Sequence, residues 1–307
     1  SGNAYTDGFS NSLKMDCTTA DTSVGSSDRL ALSYNIEGQD LQLLKKGTAN
    51  AEPVTISFWV KSNLTGNYQL TIRDQNTRMC AGVYAISIAD TWEKKTINIA
   101  ADTSGVIANT NGEGLALEFW LAAGSNYTGG TAPTAWEAKV DTDRAAGLNV
   151  QMSSSTSNDW AITGIQLEVG TYTSATLPPF QHESYGDSLS RCQRYFVQFG
   201  NNQGVADQGN YGLGITNNDN EGCHVLIPLP TTMRTASSTI TQSGTASDYA
   251  VRTTTTDAST GVPVFADATT SNILVKFVNN GHGFGTGVVV RGMTNADPSF
   301  IGVSAEL

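Results

Sequence analysis

Val54-Thr55-Ile56-Ser57-Phe58-Trp59-Val60-Lys61 alternates with period two. In an extended chain, Val54, Ile56, Phe58 and Val60 share one face, and Thr55, Ser57, Trp59 and Lys61 share the other. Leu115-Ala116-Leu117-Glu118-Phe119-Trp120-Leu121-Ala122 repeats the pattern, with Glu118 and Trp120 opposite an aliphatic stripe. Both segments read as half-buried strands. Working outward, further strands are predicted at 12–17, 29–36, 67–74, 82–88, 92–99 and 159–169, mostly separated by Gly, Asn, Asp or Ser clusters. Eight strands in a domain of this size predict a β-sandwich of jelly-roll type.

Composition agrees. Among 307 residues there are 38 Thr and 31 Gly, and only 15% are charged. Thr favours strands and Gly disfavours helices, so helical bundles and coiled coils are excluded. With 39% hydrophobic residues, the chain has enough apolar material to fold. No apolar run approaches the roughly 18 residues of a membrane-spanning helix, so no membrane insertion is expected. The net charge is −11 and both halves are acidic, which repels phosphate backbones; no nucleic-acid partner is expected.

The halves differ. All five Trp lie before residue 161, and all three His (His182, His224, His282) lie after residue 180. Leu177-Pro178-Pro179-Phe180 interrupts any helix or ladder, which places a boundary at 178. The first domain is read as 1–178. A linker follows over 179–193, with a helical turn at 187–192 capped by Asp187 or Ser188. A second, smaller β-sandwich is read over 194–307, with strands at 194–200, 210–216, 221–228, 237–243, 248–254, 271–278, 283–291 and 299–306. The whole chain is thus all-β. The Thr-rich stretch 231–260 is read as solvent-facing strand surface. Gly281 to Gly287 has Gly at every second position, either a bare strand face or a loose loop.

Signatures of catalysis are lacking. There is no HExxH, GxSxG or P-loop, the His are scattered, and Cys17, Cys80, Cys192 and Cys223 form no CxxC pair. The cysteines read as buried strand thiols. Asp141, Asp143 and Asp159 bracket a long loop, where a structural calcium is the one metal to consider. The EF-hand continuation is missing, so they read as solvated carboxylates and no cofactor is expected.

The candidate ligand-binding residues are Trp59, Lys61, Glu118, Trp120, Tyr127 and Trp136. A Trp amid polar neighbours on a sheet surface stacks on sugar C–H faces while Glu, Lys and Thr bond hydroxyls. The alternative is that the 124–158 loop or another subunit covers Trp59 and Trp120 as core. Tyr127 and Trp136 lie on that loop, and Trp136 is either functional or the loop's anchor. Trp92 and Trp160 begin strands and are read as core plugs.

Three blocks carry a family likeness: Trp160-Ala161-Ile162-Thr163-Gly164-Ile165-Gln166-Leu167-Glu168-Val169-Gly170, Pro179-Phe180-Gln181-His182-Glu183-Ser184-Tyr185-Gly186-Asp187 and Arg191-Cys192-Gln193-Arg194-Tyr195-Phe196. They resemble tail fibres and virion structural proteins of bacteriophages, of the marine and cyanobacterial type. Ser12-Leu13-Lys14, Ile36-Glu37-Gly38-Gln39-Asp40-Leu41, Ser57-Phe58-Trp59-Val60-Lys61 and Thr91-Trp92-Glu93-Lys94-Lys95 fit the same family. The last three also resemble jelly-roll carbohydrate-binding modules. Ile227-Pro228-Leu229-Pro230, Met233-Arg234 and the closing Ser304-Ala305-Glu306-Leu307 resemble phage tail-protein tips, so Leu307 is expected to be a natural terminus. The resemblance implies a non-enzymatic virion component in an external appendage. It implies a homotrimer as the assembly, other virion proteins and host cell-surface polysaccharide as partners, and the second domain as a tip. A purely structural head-decoration, neck or fibre-shaft part is the alternative, with a polysaccharide-cleaving tail enzyme behind it. Such modules often hold calcium through an Asp in the last strand; Thr163 or Gly164 stands there.

Overall fold

The alternation at 54–61 is realised as a strand whose Phe58 face looks into a two-sheet sandwich. The computed structural model describes residues 8–75, 77–201, 209–217, 222–254, 256–279, 283–296 and 299–306. The chain separates into two units, Ser1–Gln181 and His182–Leu307.

In unit 1, one sheet runs in the order β1 (Leu13–Asp16), β9 (Asp159–Val169), β3 (Val54–Ser62), β6 (Glu93–Ile99). The other runs β2 (Arg29–Glu37), β7 (Glu113–Ala123), β4 (Gly66–Asp74), β5 (Arg78–Ile86), β8 (Glu137–Ala138). All pairs are antiparallel, and the chain crosses repeatedly between the sheets, as in a jelly roll. The inner faces meet around Phe58, whose ring stands edge-on to Tyr84 and Phe119 at 5.0 and 5.1 Å. Trp160 joins Phe119 at 6.1 Å and is fully buried, the core plug its position predicts. Each such side chain contributes roughly 1.5–3 kcal/mol by leaving water. Trp92 differs: it sits half-buried before β6, with the Lys61 ammonium 5.8 Å from its ring centroid.

Unit 2 has a three-stranded sheet of β10 (Phe196–Asn201), β19 (Ser299–Ser304) and β13 (Ile240–Gln242). Its larger sheet runs β15 (Thr256–Ala258), β14 (Tyr249–Arg252), β18 (Val289–Thr294), β11 (Asn210–Thr216), β12 (Cys223–Pro228), β17 (Asn272–Phe277), β16 (Val264–Ala268). The Tyr249 hydroxyl donates to the Phe300 carbonyl at 2.7 Å, tying the two sheets of this second sandwich.

Several predicted elements are corrected. The helix is α2 (Tyr185–Gln193), and its cap is Ser184, not Asp187 or Ser188. The Ser184 hydroxyl accepts from Asp187 N at 3.2 Å and donates to the Asp187 carboxylate at 2.6 Å. β5 starts at Arg78, four residues before the predicted strand, because Asp74 Oδ1 accepts from Arg78 N and tightens the β4–β5 turn. β15 and β16 were not predicted; they are the short edges of the larger sheet. Strand 283–291 begins only at Val289. Gly283, Gly285 and Gly287 have φ of 68°, 73° and 78°, which bends this stretch out of the extended state. Gly281, His282 and Leu307 lie outside the described residues.

Candidate functional site

The six candidate residues do not form one platform. Phe58 and Phe119 meet in the core, so Trp59 and Trp120 point away from each other, out of opposite sheets.

Trp120 follows the second of its two readings: it is a core residue covered by the 124–158 loop and not a sheet-surface aromatic. It is fully buried in a satellite cluster with Ala123 and Ala145. The covering segment is held by outward-facing polar residues of β4. Gln69 Nε2 donates to the carbonyls of Asp143 and Arg144 at 2.9 and 2.8 Å, Thr71 donates to Arg144 O at 2.6 Å, and Gly147 N donates to Gln69 Oε1 at 2.6 Å. Tyr127, on the short helix α1 (Ser125–Thr128), packs 5.3 Å from Trp120. Glu118 is buried between Arg73 and Arg144. Trp136 anchors its loop: Nε1 donates to Ala100 O at 2.8 Å, and the Lys46 ammonium lies 4.3 Å from its ring centroid. Lys61 faces Trp92.

Trp59, half-buried where Trp120 is fully buried, borders an open pocket of about 240 Å³. A β-bulge makes it. Ser57 pairs with Gln166 but Trp59 with Thr163, so β9 carries an extra residue opposite Phe58, next to Trp59. The extra length is taken up at Gly164, in the left-handed region with φ +60°. A Cβ there would stand 2.5 Å from the Phe9 ring, so only Gly lets Phe9 lie over the strand. Phe9 meets Phe180 edge-on at 4.8 Å, and with Pro179 these rings wall the pocket. Its polar groups are Gln166, whose amide donates to Glu168 at 2.9 Å and Pro178 O at 3.0 Å, and exposed Lys94, the cross-strand neighbour of Trp59. Lys94 makes no ion pair among the described residues. The sequence reading missed Phe9, Lys94, Gln166 and Phe180; Gly164 inside a strand pattern was the one available signal of a bulge.

The three loop carboxylates do not gather. Asp141 pairs with Lys139 and Arg144, Asp143 accepts from Thr131 N at 2.9 Å, and Asp159 pairs with Lys14. Among the described residues no group of three or more His, Cys, Asp or Glu is placed to hold a metal. None of the cysteines is in a disulfide. Cys80 and Cys223 are buried strand thiols as expected, and burial pushes Cys80 up to about 11. Cys17 is half-buried and Cys192 is exposed on α2, contrary to that reading. No described helix is long and apolar enough to cross a membrane.

On the larger sheet of unit 2, the outer face is apolar across four adjacent strands. Val289 pairs with Ile215, Leu213 with Leu226, and Leu226 with Leu274. Leu213, Ile215, Leu226 and Val289 are 49–66% exposed. Arg291 lies beside Leu213, and Lys276 beside His224, as a basic rim.

No protein-family model and no curated protein matches the chain. Among solved structures it is similar to the N-terminal CBM22-1-CBM22-2 tandem domain of Xyn10C from Paenibacillus barcinonensis. The identity is 12%, the match covers 95% of this chain and 85% of that one, and the TM-score is 0.25. The all-β, double-sandwich assignment stands on the strand pairing above, not on this likeness.

Proposed function

We propose that the chain is a non-catalytic glycan-binding protein of a bacteriophage virion. In this reading it forms part of an external appendage, assembles as a homotrimer, and uses the Trp59 pocket on host surface polysaccharide. The carrying observation is the Trp59 ring, which opens into a pocket of aromatic walls with the Lys94 ammonium and the Gln166 amide beside it. That combination suits a sugar ring, apolar on its faces and hydroxylated at its rim. The pocket is lined by no Asp or Glu among the described residues, whereas glycoside hydrolysis uses two carboxyls. The virion placement is supported by the resemblance of the 160–196 blocks.

A glycan array carrying neutral oligosaccharides tests the pocket. Trp59→Ala is expected to weaken binding roughly 30-fold, the size of losing an aromatic anchor of about 2 kcal/mol. Unchanged binding removes the pocket from the account.

Assembly is supported by the apolar face of unit 2. Monomers rarely leave such a contiguous patch in water. We assign it to another copy of this chain: its basic rim of Arg291 and Lys276 finds complementary charge on a chain of net −11. Rim would repel rim in a two-fold contact, so a head-to-tail ring fits better. Sedimentation of the wild type should give a trimer at micromolar concentration, and Leu213→Lys with Leu226→Lys should give a monomer. A wild-type monomer contradicts the assembly. The second reading, a purely structural virion part, is favoured by the burial of Trp120, which leaves one sheet-face Trp rather than two.

A further inference from the structure

A second recess lies on the opposite face of unit 1, outside the sheet that carries Trp120. Its volume is about 470 Å³, and its charged lining is Arg29, Arg73, Lys139, Arg144 and Glu118. Four cations face one carboxylate, in a chain with 17 cationic and 28 acidic residues.

That carboxylate is already engaged. Glu118 Oε1 accepts from Arg73 Nε at 2.7 Å and Arg144 Nη2 at 2.6 Å, and Oε2 accepts from Arg144 Nε at 3.2 Å. Arg73 also reaches Glu113, and Arg144 reaches Asp141, at the margins. Counted with Glu113 and Asp141, the four cations meet three carboxylates, Lys139 and Arg144 sharing Asp141, so the surplus positive charge falls to Arg29. Arg29 is exposed and makes no ion pair among the described residues; its guanidinium lies 5.8 Å from the Tyr127 ring centroid. Among the described residues Lys139 pairs with exposed Asp141 alone, at 3.2 Å. The Ser33 hydroxyl adds a group on the rim, and buried Trp120 Nε1 has no acceptor among the described residues.

Donors thus outnumber acceptors, which selects a ligand made mostly of acceptors. Planar guanidinium groups match a carboxylate's two oxygens, and Lys supplies a point charge. The recess is far larger than an inorganic oxyanion requires and falls in the usual range of small-ligand sites, about 300–1,000 Å³. Its apolar lining amounts to Leu30, Ala31 and a Trp120 ring overlain by Arg144, with the guanidinium carbon 5.2 Å from the centroid. Apolar side chains find little purchase there, whereas hydroxyls and carboxylates find donors. We propose that this recess binds the carboxylate of an acidic saccharide, at a site separate from the Trp59 pocket.

Calorimetry on the full chain tests this with tetramers of galacturonate, mannuronate and guluronate and a hyaluronan tetrasaccharide. Fully methyl-esterified tetragalacturonate, sodium sulfate and tetraglutamate are the comparison ligands. At least one acidic tetramer is expected to bind, and affinity should fall as salt rises. Against tetragalacturonate, the ester should bind at least tenfold more weakly. Arg29→Glu with Lys139→Glu should weaken binding of the acidic tetramer at least tenfold; both lie outside the Arg73–Glu118–Arg144 triad, so the fold is retained. Trp59→Ala should leave this affinity unchanged even if it abolishes binding on the array, which separates the two sites. No binding by any acidic tetramer overturns the proposal, as does equal binding of the ester or an unaffected double variant. Sulfate or tetraglutamate binding as tightly as the best acidic tetramer overturns its saccharide part.

Discussion

Replacing Lys46 by Met will destabilise unit 1 by about 3–5 kcal/mol, the cost of leaving buried charge without its partner. The Lys46 side chain is 4% exposed, and those of Asp74 and Asp102 are 2% exposed. Its ammonium bridges both carboxylates, at 2.7 Å to Asp102, and packs on Trp136. Without it, Asp102 keeps Arg78 Nε at 2.8 Å, and Asp74 keeps Thr77 Oγ1 and Arg78 N. Met keeps the stem and removes the charge, so the loss is electrostatic rather than a cavity. All five Trp lie in unit 1, so Trp fluorescence in urea follows this unit selectively. A loss under 1 kcal/mol contradicts the buried bridge. Acid should mimic the change. Burial opposes ionisation of Asp102, but hydrogen bonds from Arg78 and Lys46 outweigh it and hold the carboxyl at about 2. A depressed native pKa adds stability above the unfolded value near 4, and that stability disappears as pH falls towards 2. The loss over that window is about 2 kcal/mol.

Glu118→Ala is expected to have a comparable effect, about 3–5 kcal/mol, by the reverse route. It leaves the Arg73 and Arg144 guanidinium groups close together with no anion between them. The damage should concentrate in the segment covering Trp120, because the Arg144 backbone is what Gln69 and Thr71 hold. Hydrogen exchange over 141–149 should speed up more than exchange in β3 or β9. Uniform acceleration across unit 1, or none, contradicts the view that Glu118 secures the cover.

Much of the fold was legible because sheet pairing follows period-two alternation. The segments 54–61, 115–122 and 159–169 lie within or match β3, β7 and β9. That the 124–158 loop covers Trp120 is one of two open readings, and the strand pattern does not decide for it, because the cover is held by Gln69 and Thr71. Their hydrogen bonds to the 143–147 backbone are tertiary, and no local pattern announces them. The same holds for the Trp59 pocket, whose walls come from positions 9, 94, 166 and 180, far apart along the chain. Trp59 could be singled out from its strand, and Gly164 marked the bulge that opens the space beside it. In unit 2, the alternation of Gly from 281 to 287 imitated a strand, but positive φ angles belong to backbone geometry that spacing does not encode.

The central claim is that Trp59, and not Trp120, meets the neutral glycan. The five indole N–H resonances of the labelled full chain, followed by NMR during titration with an oligosaccharide that binds on the array, test it directly. The Trp59 resonance, assigned by its loss in Trp59→Ala, should shift in a saturable way, while those of buried Trp120 and Trp160 stay in place. A bound sugar that leaves the Trp59 resonance unmoved contradicts the account.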